Sequence, residues 1–386
     1  MTTDKYIFYT CAGLILISIV FSLSLSVYTV VFFNYGEFHF FIRQFGVGLL
    51  AIFLMWAISR LNPDKALKPI GFTLLFSCLV LMSIMRFLPA SMVTESGGAA
   101  RWIRLPGFSL APVEFFKVGF IYFLAWSFSR RIGNEKLSIP QEFKLMLPYL
   151  CVLAVVACLI AIMQNDLGQV VVLTLTLIMM AWFAGTSMRL FSIGLLLAIL
   201  GASVIILTSD HRIARIKSWW GTAQDMVLSV LPSWLEDTLR VTDAPAPYQI
   251  SYSLNAIRHG NFFGEGLGGG IFKLGFLSEV HTDFVLSGIA EELGLAGICL
   301  ILVLFVFLIF RIFRVSGRCE DKAHHLFCMG VALMLAISFL MNSYGITSLT
   351  PLKGIAVPFL SYGGSSMLAS SIAIGMVLMI SKRIKS

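Results

Sequence analysis

The sequence has few charged residues. Asp, Glu, Lys and Arg make up only 12% of its 386 residues, whereas hydrophobic residues make up 58%. Soluble domains usually carry about 25% charged residues, so this composition excludes an ordinary soluble globule, and the high hydrophobicity excludes a disordered chain. The composition predicts a protein that folds in lipid.

Cysteine gives no sign of a disulfide framework. The seven cysteines are an odd number, form no CxxC pair and lie mostly within apolar runs. A disulfide-stabilised secreted fold is therefore not expected. A cleavable signal peptide is not expected either, because the first apolar stretch, 6–33, is longer than the 7–15 residues or so of a signal-peptide core.

Long apolar runs, by contrast, are abundant. A hydrocarbon core about 30 Å thick requires about 20 apolar helical residues. Because backbone groups in lipid must be bonded internally, such runs predict an all-α polytopic membrane protein, a bundle of ten transmembrane helices. The ten runs are 6–33, 40–61, 67–88, 112–128, 145–163, 170–185, 190–208, 284–313, 326–349 and 366–381.

The net charge of +8 indicates which connecting segments lie on the cytoplasmic side of the membrane. In a soluble protein this basic excess would suggest nucleic-acid binding. Here the basic residues gather on the alternate connecting segments that share a side with the N-terminus, which is the pattern of positive charge kept in the cytoplasm. We therefore expect both termini in the cytoplasm and no nucleic-acid partner.

One connection is much longer than the others. Residues 209–283 form a single outward loop between predicted helices 7 and 8, whereas helix connections usually have only a few residues. Tryptophans such as Trp219 and Trp234 argue against disorder. The stretch 225–235 is expected to form a helix that either lies in the membrane interface or packs on the bundle. We interpret 1–386 as one transmembrane domain that contains this loop.

The long loop ends in charged residues. His281 and Asp283 precede an apolar core that begins at Leu293. If the helix extends outward from that core, Asp283 lies at the outer aqueous boundary, where a carboxylate can act as a general base. The same position also suits a carboxylate that caps the helix or stabilises its first turn. Glu291 and Glu292 fit either a proton relay or solvated interface residues.

The fourth predicted span opens with an ionisable pair. Pro112 suits the first helical position, Glu114 lies in the first turn, and Lys117 is three residues on, on the same face. Charges at membrane depth are costly unless paired, and they often mark a site or a pathway. A purely structural ion pair explains the pattern equally well.

Other polar elements are expected on the outward side. Arg101 precedes the fourth span, Asp166 lies in the turn 164–169, and Lys353 and Ser361 flank the last span. Each is compatible with a simple turn. Together they predict a surface with carboxylates, cations suited to phosphate, and Gly-rich backbone that can approach a ligand closely.

Two further motifs match known binding signatures only superficially. Gly264–Gly269 matches GxGxxG, but no strand precedes it, so a nucleotide site is not expected. His281 and Asp283 have no HExxH motif or Cys/His cluster beside them, so a zinc site is not expected. No resident cofactor is implied, although acidic residues could recruit a divalent cation such as Mg²⁺ or Mn²⁺.

A set of motifs at the span ends follows a fixed order. They are Arg101-Trp102-Ile103, Ala111-Pro112-Val113-Glu114 with Lys117, Gln164-Asn165-Asp166-Leu167-Gly168, His281-Thr282-Asp283-Phe284 with Glu291-Glu292-Leu293-Gly294, and Lys353-Gly354 followed by Pro358 through Ser366. In this order they resemble the SEDS family of bacterial shape, elongation, division and sporulation proteins, the FtsW/RodA family, over nearly the whole chain. The sequence departs from the family pattern at Ala111, Val113, Asn165 and Ser278.

The resemblance implies a glycosyltransferase, a hexosyl- or muramyl-transferring enzyme of peptidoglycan synthesis. It would polymerise lipid II, the undecaprenyl-diphosphate-linked disaccharide pentapeptide, at the outer face of the bacterial cytoplasmic membrane. The implied partners are a class B penicillin-binding protein, which is a transpeptidase, and other divisome membrane proteins. Gly266-Leu267-Gly268 followed by 273–277 resembles the division branch more than the elongation branch, so the expected location is the septum.

The resemblance also implies roles for single residues. Asp283 would be the general base that deprotonates the attacking sugar 4-hydroxyl, while undecaprenyl diphosphate leaves the other sugar's anomeric carbon with inversion. Cationic side chains, or a divalent ion, would stabilise the leaving diphosphate. The implied substrate-binding residues are Glu114, Lys117, Arg101, Asp166, His281, Arg212, Arg215, Lys353 and Ser361.

Three other functions stay open at this point. A lipid II flippase or transporter would also contain ionisable groups inside the membrane. An elongation-type polymerase would use the same chemistry at another place in the cell, and a divisome scaffold would recruit a partner without turning over substrate. The outward clustering of the motifs, and the lack of a clear inverted repeat, favour the enzyme.

Overall fold

The structure, a computed structural model, consists almost entirely of helices. It describes residues 3–89, 91–96, 99–105, 108–133, 138–208, 210–229, 232, 236, 239–241, 248–277, 279–351 and 354–384. In chain order the helices are α1 (Lys5–Leu25), α2 (Val27–Phe32), α3 (His39–Arg60), α4 (Pro63–Ile84), α5 (Pro112–Arg131), α6 (Ile139–Cys158), α7 (Leu167–Ala184), α8 (Met188–Leu207), α9 (Asp210–Leu228), α10 (Tyr248–His259), α11 (Val285–Gly317), α12 (Lys322–Ile346) and α13 (Gly364–Ser381).

A helix lies at each of the ten predicted apolar runs. Within the described residues, nine of these helices are long and apolar enough to cross a membrane. The remaining one is α5, whose apolar content is lowered by Glu114, Lys117 and two arginines in its last turn. The all-α polytopic class is thus confirmed, while the count of ten spans and the sidedness of the termini stay predictions.

A small sheet forms in the segment before α5, where we predicted only a loop. Its strands β1 (Val93–Ser96), β2 (Ala99–Leu105) and β3 (Phe108–Leu110) are antiparallel and follow the order β1-β2-β3. Ile103 pairs with Val93 on one side and Leu110 on the other. The strands are too short to produce an apolar run of membrane length. They matter here because β2 carries Arg101.

The helices differ strongly in how much of their surface is covered. In α12 and α13, 72% and 83% of the apolar window is buried inside the protein, whereas only 6% of the window in α8 is buried. Helix α5 packs against α4, α12 and α13. At Gly119 of α5, an added Cβ would lie 2.4 Å from the backbone nitrogen of Leu75, so only glycine allows this approach. Helices α5, α12 and α13 therefore form the centre, whereas α8 leaves most of its apolar surface uncovered.

Helix α11 is interrupted at Gly294, which has φ 65° and ψ −166°. The backbone of the Gly-rich segment 260–277 packs against α11 at this interruption. Glu265 and Gly266 donate their N–H groups to the carbonyls of Glu291 and Glu292 at 3.0 and 2.9 Å. An added Cβ at Gly264 would lie 2.2 Å from the Glu292 carbonyl oxygen. Gly264, the first glycine of the GxGxxG match, thus allows the loop to pack against a broken helix.

The long outward loop is partly helical and contacts the bundle. The described part includes α10 and α9, and α9 contains residues 225–228 of the predicted helix 225–235, whereas Trp234 lies outside the described residues. Trp219 donates its indole N–H to the carbonyl of Ser348, after the end of α12, at 2.7 Å. This bond joins the loop to the transmembrane helices. The division of the chain into one domain with an inserted loop stays a prediction.

Candidate functional site

The backbone around Asp283 is held by hydrogen bonds that three successive carbonyl groups accept from other parts of the chain. The backbone N–H of Tyr362 donates to the carbonyl of His281 at 2.9 Å, and the hydroxyl of Ser361 donates to the carbonyl of Thr282 at 2.7 Å. The side-chain amide of Asn342 donates to the carbonyl of Asp283, also at 2.7 Å. The segment is therefore fixed from α12 and from the turn before α13.

The Asp283 side chain is half-buried and does not cap the following helix. The N-cap of α11 is Phe284, no side-chain cap bond is present, and the first turn contains no acidic residue. The interpretation of Asp283 as a helix-capping or first-turn carboxylate is therefore wrong. Gly354, with φ +87°, lies against the carboxylate, since a Cβ built there would be 3.6 Å from Oδ2. The carboxylate thus lies beside the backbone of the turn at Gly354.

His281 lies beside the carboxylate segment in an aromatic environment. It is only 7% exposed, and the ring centroids of Phe40 and Tyr362 lie 5.2 and 5.5 Å from its own. Among the described residues, no partner bonds its Nδ1. Burial lowers the pKa of His281, against a weaker opposing effect of Glu279. The imidazole is therefore neutral at pH 7.

Ser361 and Lys353 are the other two predicted substrate-binding residues of this region. Ser361 is 3% exposed, and its hydroxyl also accepts the backbone N–H of Val357 at 2.8 Å. The hydroxyl thus donates one hydrogen bond and accepts another, both with backbone groups. Ser361 therefore fixes the backbone of the segment that carries Asp283. Lys353 lies outside the described residues.

The Glu114–Lys117 pair closes into a triad with Gln169 of α7. Lys117 Nζ lies 2.9 Å from Glu114 Oε2 and donates to Gln169 Oε1 at 2.9 Å. Gln169 Nε2 completes the triad by donating to Glu114 Oε1 at 2.9 Å. All three residues are at most 9% exposed. Their charges and hydrogen-bonding groups satisfy one another, as burial at membrane depth requires.

Arg101 and Asp166 meet at the start of α7. The Asp166 carboxylate accepts the backbone N–H of Gln169 at 3.3 Å and so caps the helix. Arg101 Nε lies 3.7 Å from Asp166 Oδ2, and its Nη2 donates to the carbonyl of Asn165 at 2.7 Å. Burial raises the pKa of Asp166, while the Arg101 guanidinium acts in the opposite direction. The turn thus combines a helix cap with an ion pair.

Two arginines of α9 join this turn. Arg212 Nη2 donates to Asn165 Oδ1 at 3.1 Å and to the carbonyl of Ala161 at 2.8 Å. Arg215 follows Arg212 by three residues on α9 and is exposed, and partial desolvation, and then the charges of Arg101 and Arg212, lower its pKa. Three arginines against one aspartate leave a net positive charge. Such a cluster is suited to a phosphate-bearing ligand.

A large apolar groove opens directly below the arginines. Helices α6, α7 and α8 line a cavity of about 670 Å³, within the range of about 300–1,000 Å³ that is usual for ligand pockets. Its lining includes Ala161 and Ile205, whose carbonyls accept hydrogen bonds from the Arg212 guanidinium. The groove and the arginine cluster therefore form one continuous surface, with cations at one end and apolar side chains along the rest.

The turn that holds the arginine cluster and the turn that borders Asp283 are in contact. Gly168, two residues after Asp166, lies against Ile355, since an added Cβ would be 3.0 Å from the Ile355 side chain. Ile355 follows Gly354, which borders the Asp283 carboxylate. The first turn of α7 thus connects the two regions. Sequence reasoning included Gln169 and Lys273 in the segments 164–169 and 273–277 without assigning them a role, and it missed Asn342, which only its position in space relates to the motifs.

Glu291 and Glu292 hold the Gly-rich segment. Glu291 Oε1 accepts the backbone N–H groups of Ile271 and Phe272 at 2.6 and 3.1 Å. Glu292 Oε1 lies 2.6 Å from Lys273 Nζ, and both carboxylates are at most 1% exposed. The interpretation of these glutamates as solvated interface residues is therefore wrong.

Metal binding by the protein alone finds little support. Within the part of the chain that the structure describes, no group of three or more His, Cys, Asp or Glu residues could hold a metal ion. Magnesium and manganese can also be bound jointly with the phosphates of a substrate. A divalent cation that arrives with the substrate therefore stays a hypothesis.

The sequence is similar to a family of known proteins. The FtsW/RodA/SpoVE family model, described as cell cycle protein, matches residues 4–386. A Helicobacter pylori protein named probable peptidoglycan glycosyltransferase FtsW is 46% identical over 387 residues and covers 100% of both chains. A Geobacter sulfurreducens protein of the same name is 33% identical and covers 90% of this chain and 86% of its own.

Solved structures have the same fold. One chain, from a study of how a peptidoglycan synthase complex coordinates polymerization and crosslinking, matches with a TM-score of 0.74 at 23% identity, covering 99% of this chain and 98% of its own. The rod shape-determining protein RodA of Thermus thermophilus matches with a TM-score of 0.64 at 22% identity, covering 100% of this chain and 99% of its own. At these identities the likeness concerns the fold.

Proposed function

The chain belongs to the FtsW/RodA/SpoVE family of cell cycle proteins, and on that basis we propose that it is a peptidoglycan glycosyltransferase of cell division. The substrate is lipid II, polymerised at the outer face of the cytoplasmic membrane. Full-length relatives at 46% identity are named probable peptidoglycan glycosyltransferase FtsW. The single observation in the structure that carries the proposal is the half-buried Asp283 carboxylate on a fixed backbone that caps no helix.

Asp283 acts as the general base. It removes the proton from the 4-hydroxyl of the attacking sugar as that oxygen bonds to the anomeric carbon of the donor. The bond from that carbon to the diphosphate breaks, so the configuration at the carbon is inverted. A base can act only if its oxygen is held within hydrogen-bonding distance of the hydroxyl. The three carbonyl contacts at His281, Thr282 and Asp283 support this role because they restrict the backbone.

The leaving diphosphate binds at the arginine cluster. Its charge grows in the transition state, and fixed cations stabilise that charge. Arg101, Arg212 and Arg215 supply these cations. The polyprenyl chain lies in the apolar groove of α6, α7 and α8, whose outer end is bordered by Arg212. Lys117 is already bonded within its triad, and we assign that triad the role of supporting α7 rather than of contacting the diphosphate.

The partner we propose is a class B penicillin-binding protein. A structural neighbour of this chain comes from a complex that couples polymerization to crosslinking. A transpeptidase beside this chain would crosslink each glycan strand as it emerges at the outer face. Together with the division names of the relatives, this supports a place at the septum among divisome membrane proteins.

The proposal is tested by glycan synthesis in a purified system. The protein is combined with its transpeptidase partner and fluorescent lipid II, and the products are separated on a gel. We expect glycan ladders from the wild type and none from Asp283→Ala. Glu279→Ala, which removes an exposed carboxylate four residues away, is the matched control and retains ladders. Ladders that persist in Asp283→Ala would refute the assignment, and lipid II flipping without any ladders would favour a transporter.

A further inference from the structure

Asn342 of α12 links the two backbone segments that border the Asp283 carboxylate. It is 4% exposed, and its Nδ2 donates to the carbonyl of Asp283 at 2.7 Å and to the carbonyl of Ile355 at 2.7 Å. Both neighbours are acceptors, so the amide must present its nitrogen to them, and its two N–H groups are both used. Among the described residues, Oδ1 has no partner.

We propose that Asn342 is a positioning residue, which sets the distance between the general base and the turn at Gly354. One N–H holds the residue that carries the carboxylate, and the other holds the residue after Gly354, whose backbone borders Oδ2. The inference rests on the proposed function, in which Asp283 is the base.

Replacement by residues of similar outline separates the donors from the shape. Asn342→Leu keeps the branching at Cγ, with a larger side chain, and removes both donors. Asn342→Asp keeps the shape and presents oxygen to two carbonyls, which repel it while the carboxyl is ionised. When the carboxyl is protonated, one O–H donor returns. The two variants therefore differ in how they respond to acid, although both have lost the amide.

The experiment measures kcat and KM for lipid II polymerisation with the transpeptidase partner. A misplaced base costs up to about 100-fold in rate, so we expect kcat of both variants to fall about 10- to 100-fold with KM little changed. Relative to the wild type at the same pH, kcat of Asn342→Asp rises as the pH falls, whereas kcat of Asn342→Leu stays low. Ser338→Ala, one turn earlier on α12 and also buried, is the control and keeps the wild-type rate.

Each outcome supports or overturns the inference. Wild-type kcat in either folded variant overturns it, and so does a loss of kcat fully explained by a smaller folded fraction, determined from the melting curve of each preparation. If Asn342→Leu does not fold, the pH response of Asn342→Asp decides alone, and a flat response overturns the inference. Asp283→Ala is assayed in parallel. Ladders from that variant refute the proposed function, whereas wild-type kcat in the Asn342 variants beside an inactive Asp283→Ala refutes only the positioning role.

Discussion

Asp283 and Glu114 are both carboxylates, but the protein holds them in different ways. At Asp283 the backbone is fixed through Tyr362, Ser361 and Asn342, and the carboxylate is half-buried beside Gly354. At Glu114 the carboxylate itself is bonded, to Lys117 and Gln169, and the side chain is buried.

This difference separates a reacting group from a supporting one. A general base needs an oxygen that the substrate can reach, on a backbone that does not move. A buried ion pair needs partners for every charge and offers little to a ligand unless the pair opens. The comparison therefore assigns the chemistry to the His281–Asp283 segment and the support of α5 and α7 to the Glu114–Lys117–Gln169 triad.

Lys117→Met should have the largest effect on stability. It leaves the Glu114 carboxylate buried without its cation, which costs about 3–5 kcal/mol in such pairs. The double variant Glu114→Gln/Lys117→Met removes both charges and should recover much of the loss. Melting of the detergent-purified proteins measures both. Equal melting temperatures for the wild type and Lys117→Met would show that the pair is not structural and would break the comparison.

Removal of arginines from the cluster should reduce activity without loss of folding. A hydrogen bond to a charged group contributes about 1.5–3 kcal/mol, so Arg215→Ala should lower kcat/KM for lipid II by about 10- to 100-fold. Arg215 is exposed, which is why we expect no change in melting temperature. Lys217→Ala, an exposed cation two residues away in α9, is the control. Equal losses in the two variants would indicate a general charge effect rather than a diphosphate site.

Gly354→Ala should have a smaller effect with two causes. The backbone at residue 354 would be strained, and the Asp283 carboxylate would be displaced. Gly354 has φ +87°, and a residue with a Cβ pays about 1–2 kcal/mol in the left-handed region. The added methyl group would also contact Asp283 Oδ2. We expect a modest fall in melting temperature and a larger fall in kcat. An unchanged kcat at full folding would mean that the turn does not restrict the carboxylate.

The smallest expected effect concerns pH. Burial holds the pKa of His281 below its ordinary value of 6.5, so the folded protein favours the neutral ring. The resulting stability is present above pH 6.5 and is lost as the pH falls through the lowered pKa of the folded state. The melting temperature of the wild type should therefore decrease more steeply between pH 7 and pH 5 than that of His281→Phe. Parallel curves would show that His281 does not contribute.

The fold could be predicted from the sequence where the signal was local. Apolar runs predict the helices, because length and composition are enough to identify them. The short strands β1–β3 were missed, since their few residues leave no periodicity to detect. Gly294 was not expected to interrupt α11, because its effect depends on the segment 260–277 that packs into the break.

The site could be predicted only in part. The Glu114–Lys117 pair is separated by one helical turn, so its spacing reveals it. Gln169 and Asn342 complete their clusters from distant helices, and a single sequence carries no sign of such contacts. The alternative of a helix cap at Asp283 could be rejected only when the structure showed where α11 begins.

The central claim is tested most directly by one paired measurement, in which the polymerisation rate and melting temperature are determined on the same preparations of Asp283→Asn and Glu114→Gln. Asp283→Asn should lose about 100- to 10,000-fold in rate, the usual contribution of a general base, at an unchanged melting temperature. Glu114→Gln should melt at a lower temperature, yet keep most of its rate where it is folded. A fully active Asp283→Asn, or an inactive but equally stable Glu114→Gln, would contradict the account.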